Sequence, residues 1–133
     1  MLFRSVCAKV EAELAEMSDE DAAEFLSSYE LKESGLVRLI RKSYELLGLI
    51  SFFTVGEDEC RAWAVAKGST APQGASQIHT DLERGFVRAE VVGYEDFKKH
   101  GSMKEAKHHG VYRLEGKTYI VNDGDIMHIL AST

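Results

Sequence analysis

Residues 78–81 read Ile78-His79-Thr80-Asp81, and they close a short helical stretch that follows the loop at 67–70 (Lys-Gly-Ser-Thr). Pro72, the only proline, stands where the first helical position is expected and its missing N–H costs nothing, so we predict a helix over residues 72–79. One imidazole, one hydroxyl and one carboxylate at a single helix end cannot all converge on a substrate. His79 and Asp81 are better explained as a helix terminus whose side chains hydrogen-bond to the following turn. The stretch therefore indicates a fold rather than a chemistry.

The residues around this helix have the pattern of strands. Apolar, β-branched and aromatic residues at 49–55, a turn at 56–59 (Gly-Glu-Asp-Glu) and alternation at 60–66 predict a hairpin. After the helix we expect further short elements: a strand at 85–92, helical pieces at 94–100 and 103–109, and strands at 111–114, 119–122 and 125–130. Hairpin, helix and then more strands is the order of a β-grasp (ubiquitin-like) domain, which we assign to residues 48–133.

The first 47 residues have a helical pattern instead. Residues 9–17 are amphipathic, and Ser18 with Asp21 has the spacing of a capping box that begins a second helix. A third helix follows Glu33-Ser34 and ends near Gly48; its apolar stripe consists of Leu36, Leu39, Ile40, Tyr44 and Leu47. Because no flexible linker separates the two patterns, we expect the helical segment to pack against the β-grasp domain. The predicted fold class is α+β.

Composition limits the possible functions. With 133 residues and 44% hydrophobic residues the chain can bury a core, and its net charge of −6 argues against a surface that binds polyanions everywhere. Cys7 and Cys60 are far apart and lack CxxC spacing, so neither a disulfide framework nor a zinc ribbon is predicted. The first ten residues are too short and are followed too closely by Glu11 and Glu13 for a signal peptide or membrane span. We expect a cytoplasmic protein with no membrane partner.

One segment of the chain is locally basic. Residues 84–113 contain seven Lys and Arg against four Asp and Glu, a balance of +3, and Tyr94, Phe97 and Tyr112 lie nearby. Ammonium and guanidinium groups beside aromatic rings are how RNA phosphates and bases are held. The alternative is that Lys-rich helix faces are only solvated surface and that the aromatic residues belong to the core. The candidate RNA-binding residues are Arg84, Arg88, Lys98, Lys99, Lys104 and Lys107.

Other reactive groups give weaker patterns. His108, His109 and His128 with Asp123 or Asp125 include suitable ligand types, but adjacent histidines point in different directions and no helical i, i+4 His pair exists, so we predict no metal site. The acidic runs at 19–21 and 57–59 are interpreted as solvated faces, Trp63 as a core residue, and Cys7 as lacking a base. We predict no catalytic residue.

Several ordered strings carry a family resemblance. Ile78-His79-Thr80-Asp81 resembles the signature of TGS domains, small β-grasp modules of threonyl-tRNA synthetases, certain GTPases and the SpoT family. Together with other strings it is similar to the carboxy-terminal third of the YchF/Obg-like ATPases, from about residue 5 to residue 130, and 85–90 (Gly-Phe-Val-Arg-Ala-Glu) separates that family from the other TGS modules. The remaining strings are 6–14, 33–36, 44–49, 61–63, 71–73 and 121–127.

The resemblance implies that nucleotide binding belongs to a domain upstream of the TGS domain. Members of the family have an amino-terminal P-loop domain followed by a TGS domain, prefer ATP although they resemble GTPases, and associate with ribosomes. Cys7-Ala8-Lys9 is similar to the last guanine-nucleotide-binding motif, where a backbone N–H would face the base, so residues 1–47 would be a remnant of the nucleotide-binding domain. Met1 to Arg4 do not resemble the strand that normally precedes this motif, which predicts a fragment or a truncated reading frame.

The sequence contains no G-x-x-x-x-G-K-[ST], so nothing supplies the phosphate cradle, the lysine and the magnesium ligand of a P-loop. The resemblance thus implies a non-catalytic chain without a cofactor of its own, whose full-length parent binds ATP or GTP with Mg²⁺. The expected partners are the ribosome or ribosomal RNA and the upstream nucleotide-binding domain, without DNA. Two alternatives remain open: a protein-interaction module that uses the sheet without RNA, and a stand-alone hydrolase.

Overall fold

The computed structural model describes residues 6–56 and 58–132, so the predictions for Met1 to Arg4 and for Glu57 lie outside the described residues. The chain divides into two compact units between Leu46 and Leu47. Among the helices of the described ranges, none is both long and apolar enough to cross a membrane.

The first unit contains helices α1 (Ala8–Ala15), α2 (Asp19–Ser28) and most of α3 (Gly35–Leu47). Ser18 caps α2, because its Oγ accepts the N–H of Asp21 at 3.2 Å. The carboxylate of Glu11 in α1 accepts the N–H groups of Gly35 at 2.7 Å and Leu36 at 3.1 Å, which satisfies the first turn of α3. The third helix ends before Gly48, whose φ of +64° suits glycine at this position.

The apolar stripe predicted for α3 is present but exposed. Leu36, Leu39 and Ile40 are each more than half exposed, whereas Arg38 of the same helix is half-buried. Within residues 6–46 no apolar side chain is buried, because three short helices enclose too little volume for a core.

The second unit begins with a hairpin, as predicted. Strands β1 (Leu49–Val55) and β2 (Cys60–Ala66) pair antiparallel, and α4 (Ala71–Ile78) and α5 (Thr80–Arg84) lead into β3 (Phe86–Gly93). At the start of α4, the Gln73 Oε1 accepts the N–H of Thr70 at 2.8 Å.

Two helices and two strands complete this unit: α6 (Tyr94–His100), α7 (Met103–His108), β4 (Arg113–Glu115) and β5 (Asp125–Ala131). The strand predicted at 119–122 is wrong. That segment makes one isolated bridge, between Ile120 and Thr70, because its backbone pairs with the loop before α4 instead of with a strand.

The sheet order is β2-β1-β5-β3-β4, with β1 and β5 parallel and the other pairs antiparallel. This is the β-grasp arrangement, so the predicted fold class is confirmed. Its core lies between the sheet and α4, where a Cβ placed on Gly74 would come within 3.6 Å of the Phe52 ring. Trp63, predicted as core, is half-buried and packs against this core. Its Nε1 donates to Thr54 Oγ1 at 2.9 Å. The buried apolar residues of the core cluster are Phe52, Val65, Ala71, Ala75, Phe86, Ala89, Val91, Val121 and Met127.

Asp125 is the one buried charged residue in the described part of the chain. Its Oδ2 accepts the Tyr119 hydroxyl at 2.7 Å and the Asn122 N–H at 2.8 Å, and Arg113 Nη2 lies 3.5 Å from its Oδ1. Burial, followed by the hydrogen bond to Asp125, raises the pKa of Tyr119. These contacts fix the turn at the start of β5.

Candidate functional site

Helices α6 and α7 form a helical hairpin. Gly101, with φ of +77°, ends α6, and the Ser102 Oγ accepts the N–H of Glu105 at 3.1 Å to begin α7. Lys98 and Lys99 lie in the last turn of α6, and Lys104 and Lys107 lie on α7. We call these four residues the lysine surface.

The hairpin is held on the face of the sheet opposite α4. Phe52 faces α4, so the neighbouring Phe53 points to the other face, where its ring centroid lies 6.0 Å from that of Tyr94 in α6. Ala106 of α7 is fully buried. The lysine surface is therefore supported by packed elements rather than by a loop.

All four side chains of the lysine surface are exposed. Within residues 6–56 and 58–132, none of them forms an ion pair, although Glu95, Asp96 and Glu105 belong to the same helices. The Lys107 ammonium lies 5.0 Å from the centre of the Tyr112 ring, a cation–π contact. These cationic groups are available to an anionic partner.

Glu90 links this surface to the sheet. Its Oε1 accepts the Tyr112 hydroxyl at 2.7 Å, and its Oε2 lies 2.7 Å from the Nδ1 of His128, directly across the strand pair. The Tyr112 hydrogen bond and then the His128 hydrogen bond lower the pKa of Glu90, whereas the bond to Glu90 raises the pKa of Tyr112 to about 12. Sequence reasoning missed this trio, because no local pattern joins residues 90, 112 and 128.

The two predicted arginines do not lie equally close to the lysines. Arg88 and Glu90 are two residues apart on β3 and share a face, so Arg88 continues the surface beyond Glu90. Arg84 ends α5, a helix whose Leu82 packs on the core at the opposite face. The structure thus places Arg88 on the same strand face as Glu90, whereas Arg84 lies on a helix that packs against the other face of the sheet.

The predicted signature forms the corner between α4 and α5. Ile78 packs against the core. His79 is both the C-cap of α4 and the N-cap of α5, and its Nδ1 accepts the N–H of Asp81 at 3.2 Å. His79, Thr80 and Asp81 are exposed. These contacts shape the chain and bring no reactive group together with the lysine surface.

The predicted nucleotide-contact loop lies at the start of α1. Cys7 occupies the position before the helix, makes no capping bond through its side chain, and is exposed. Ala8 begins the helix, and the Lys9 ammonium lies 3.9 Å from Glu13 Oε1. The backbone N–H groups of this loop lie at the N-terminus of α1, a position that suits the binding of anions.

The sequence analysis weighed His108, His109 and His128 with Asp123 or Asp125 as metal ligands and predicted no metal site, and in the described residues these side chains do not form that group. His128 contacts Glu90, whereas His108 and His109 lie with Glu105 at the end of α7. Glu105 was overlooked although it stands three and four residues before the two histidines, which is the spacing of one helix face.

Comparisons with known proteins place this fold in context. Residues 49–132 match the family model YchF-GTPase_C, described as a protein of unknown function (DUF933). The "Ribosome-binding ATPase YchF" of Haemophilus influenzae is 54% identical over 123 residues, which are 92% of this chain and 34% of that protein. The protein of the same name from Bacillus subtilis has the same identity over the same length and the same coverage.

A solved structure has the same fold. The structure of the Schizosaccharomyces pombe YchF GTPase superposes with a TM-score of 0.80 and 36% identity, over 94% of this chain and 33% of that one. The chain thus spans about a third of the length of the relatives it matches.

Proposed function

Because this chain belongs to the YchF-GTPase_C family, we propose that it is the non-catalytic carboxy-terminal domain of a cytoplasmic, ribosome-associated P-loop ATPase or GTPase. Its similarity to proteins named ribosome-binding ATPases supports the ribosome as partner. The nucleotide and its Mg²⁺ would bind to an upstream domain of the parent, with Cys7, Ala8 and Lys9 contributing the base-contact loop.

The observation that carries the RNA-contact part of this proposal is the lysine surface. Four exposed ammonium groups on one helical hairpin, without ion-pair partners in the described residues, suit the phosphates of structured RNA. Arg88 extends the same surface, and Tyr112 adds an aromatic ring beside Lys107. Arg84 supports the proposal less, since it lies on α5.

The hairpin also supplies a means of coupling. Helix α6 follows β3 directly, and β3 is an interior strand of the sheet. A partner that binds the hairpin and displaces it would therefore also displace this strand. Through this sheet, contact with RNA would be transmitted to the upstream nucleotide site of the parent.

A second candidate function is protein recognition by the sheet. Strands β2 and β4 are the edges of the sheet, and Leu114 on β4 is an exposed apolar residue. An edge strand can pair with an extended peptide of a partner, without any nucleic acid.

Ribosome co-sedimentation at two salt concentrations separates the two functions. We compare the unaltered chain with Lys98→Glu/Lys99→Glu/Lys104→Glu/Lys107→Glu and with the double variant Lys104→Glu/Lys107→Glu. The matched control is Lys67→Glu/Lys117→Glu, which reverses two exposed charges elsewhere on the same unit.

Loss of sedimentation in the lysine-surface variants but not in the control is expected. Binding of the unaltered chain should fall steeply with salt, with a log–log slope of about 0.7–0.9 per phosphate contacted. Equal sedimentation of all variants would overturn RNA contact through these lysines and favour the sheet. Hydrolysis of ATP or GTP by the purified chain would overturn its non-catalytic assignment.

A further inference from the structure

Three potential metal ligands meet at the end of α7. Glu105, His108 and His109 each offer one ligand atom, and these atoms all lie within 4.8 Å of one another. The spacing i, i+3 and i+4 places the three side chains over one face of a helical turn. We call them the Glu–His–His cluster.

A third imidazole borders the cluster. The ring of His100, the last residue of α6, stacks on that of His109 with centroids 4.3 Å apart, and the His108 ring meets the His109 ring edge-on at 5.5 Å. Three of the five histidines of the chain therefore gather where two helices end.

The polar atoms of the cluster's side chains have no partner among the described residues. In the described ranges, Glu105, His108 and His109 are exposed, and none has a hydrogen bond or an ion pair through its side chain. The two remaining histidines differ, since the Nδ1 of His79 accepts the Asp81 N–H and that of His128 contacts Glu90. Among the described residues, only the imidazoles of His100, His108 and His109 are without a hydrogen bond at either ring nitrogen.

We propose that Glu105, His108 and His109 bind a divalent transition-metal ion of the Zn²⁺ class, with solvent completing its coordination. Imidazole and carboxylate suit Zn²⁺, Cu²⁺ and Ni²⁺ more than Mg²⁺ or Ca²⁺, which prefer oxygen ligands alone. Tetrahedral Zn²⁺ with ligands at about 2.0–2.1 Å separates their donor atoms by about 3.3 Å. The ligand atoms now lie up to 4.8 Å apart, and rotation of these exposed side chains would bring them to that separation.

Binding would fix the end of α7. All three ligands come from α7 and from the residue that follows it, on the helix that carries Lys104 and Lys107. Lys104 and Lys107 lie close by and oppose a cation, although Lys107 is directed at the Tyr112 ring. This repulsion favours a site of moderate rather than extreme affinity.

The test is calorimetric titration of the full chain with ZnCl₂. Both cysteines are exposed and bind Zn²⁺ as thiolates, so all proteins carry Cys7→Ser and Cys60→Ser. Glu105→Gln, His108→Asn and His109→Asn are compared with the control His128→Asn, which removes an exposed imidazole outside the cluster. Circular dichroism checks that every variant is folded, and titration with CoCl₂ reports tetrahedral coordination through its visible absorption.

One Zn²⁺ per chain is expected in the cysteine-free protein and in the His128→Asn control. Each cluster variant should bind at least about tenfold more weakly, since even the loss of a group that only supports a ligand costs 10–100-fold. Absence of saturable Zn²⁺ binding in the cysteine-free protein would overturn the site. So would equal affinities of the cluster variants and the control.

Discussion

At the scale of the residue, Glu90 is the charged group on which the open face of the sheet depends. Its two carboxylate oxygens hold Tyr112 and His128, each at 2.7 Å, and its side chain is 26% exposed. Because the hydrogen bonds from Tyr112 and then His128 lower the pKa of Glu90 from its ordinary 4.5, the folded state favours the carboxylate. The contribution of Glu90 to the free energy of unfolding is complete above pH about 4.5, the ordinary pKa. It is lost as the pH falls through the lower pKa of Glu90 in the folded protein.

Glu90→Gln should therefore destabilise the protein in a pH-dependent way. We expect urea unfolding at pH 7 to show a loss of about 1 kcal/mol, because the site is partly solvated and a bond to a charged group is replaced by weaker ones. The loss should shrink as the pH is lowered below about 4.5, toward the lowered pKa of Glu90 in the folded protein.

Glu83→Gln is the matched control. Glu83 is exposed, and its side chain has no ion-pair partner in the described residues, so its substitution should change little at pH 7 or at pH 3. A Glu90→Gln deficit that is the same at pH 7 and pH 3 would contradict the charge-dependent explanation.

The sequence could predict that Glu90 lies on a strand but not what it contacts. His128 is 38 residues away and meets Glu90 through the register that pairs β3 with β5, whereas Tyr112 is 22 residues away and directly precedes β4, which pairs with β3 on its other side. Register depends on packing of the whole sheet, and a local pattern of residues does not contain it. Glu105 was different, since its spacing from His108 and His109 was visible in the chain.

At the scale of the element, the residue before β3, Gly85, and the residue after β5, Ser132, approach each other closely. A Cβ at this position would lie 2.3 Å from the carbonyl oxygen of Ser132, and Ser132 N–H donates to the Gly85 carbonyl at 2.8 Å. The close approach of two backbones requires glycine here, although the φ of −84° suits any residue.

Gly85→Ala should consequently weaken the junction of β3 and β5. The added methyl group forces the two backbones apart, and we expect a loss of about 1–3 kcal/mol, as for overpacking elsewhere. Thermal unfolding measures the loss as a lower Tm. Gly116→Ala is the control, because a Cβ there would have no atom within 4 Å; equal Tm values for both variants would contradict the steric argument.

Most elements could be predicted because their signals are local. The hairpin, α4, β3 and β5 have clear periods and are bounded by turn residues such as Gly56 and Pro72. The segment at 119–122 has strand-like residues, yet Tyr119 O accepts the Ala71 N–H and Val121 N–H donates to Ser69 O. Its partner is a loop that precedes α4, which a strand pattern cannot reveal.

At the scale of the whole molecule, the core belongs to one unit. Every buried apolar side chain of the described residues lies between Phe52 and Val121 or at Ile126 and Met127, inside the unit that begins at Leu47. That residues 1–47 and 48–133 are parts of two separate domains, as expected from the sequence, stays a prediction.

A chain of residues 47–133 should therefore fold by itself. We expect cooperative thermal unfolding with a Tm within about 5 °C of the full chain, which corresponds to roughly 1 kcal/mol for a domain of this size. Circular dichroism on both proteins checks this, with residues 1–46 as the converse case, expected to be only partly helical. A non-cooperative transition for residues 47–133 would contradict it.

Net charge and local charge act over different distances. The chain carries −6 overall, but physiological salt screens exposed charges beyond about 8 Å. A partner that approaches α6 and α7 meets the lysines nearby before it meets the acidic remainder. The acidic composition predicted no general polyanion surface, and it does not oppose a local one.

Strand β5 follows the other four strands in the sequence but lies in the middle of the sheet, between β1 and β3. During synthesis the β1–β2 hairpin and β3 thus leave the ribosome before the strand that joins them. Until β5 emerges, β1 and β3 each have an unpaired edge, which favours aggregation and proteolysis. A chain whose translation stops before Asp125 therefore contains the β1–β2 and β3–β4 pairs but lacks the strand that joins them. This domain completes its folding only late in its own translation.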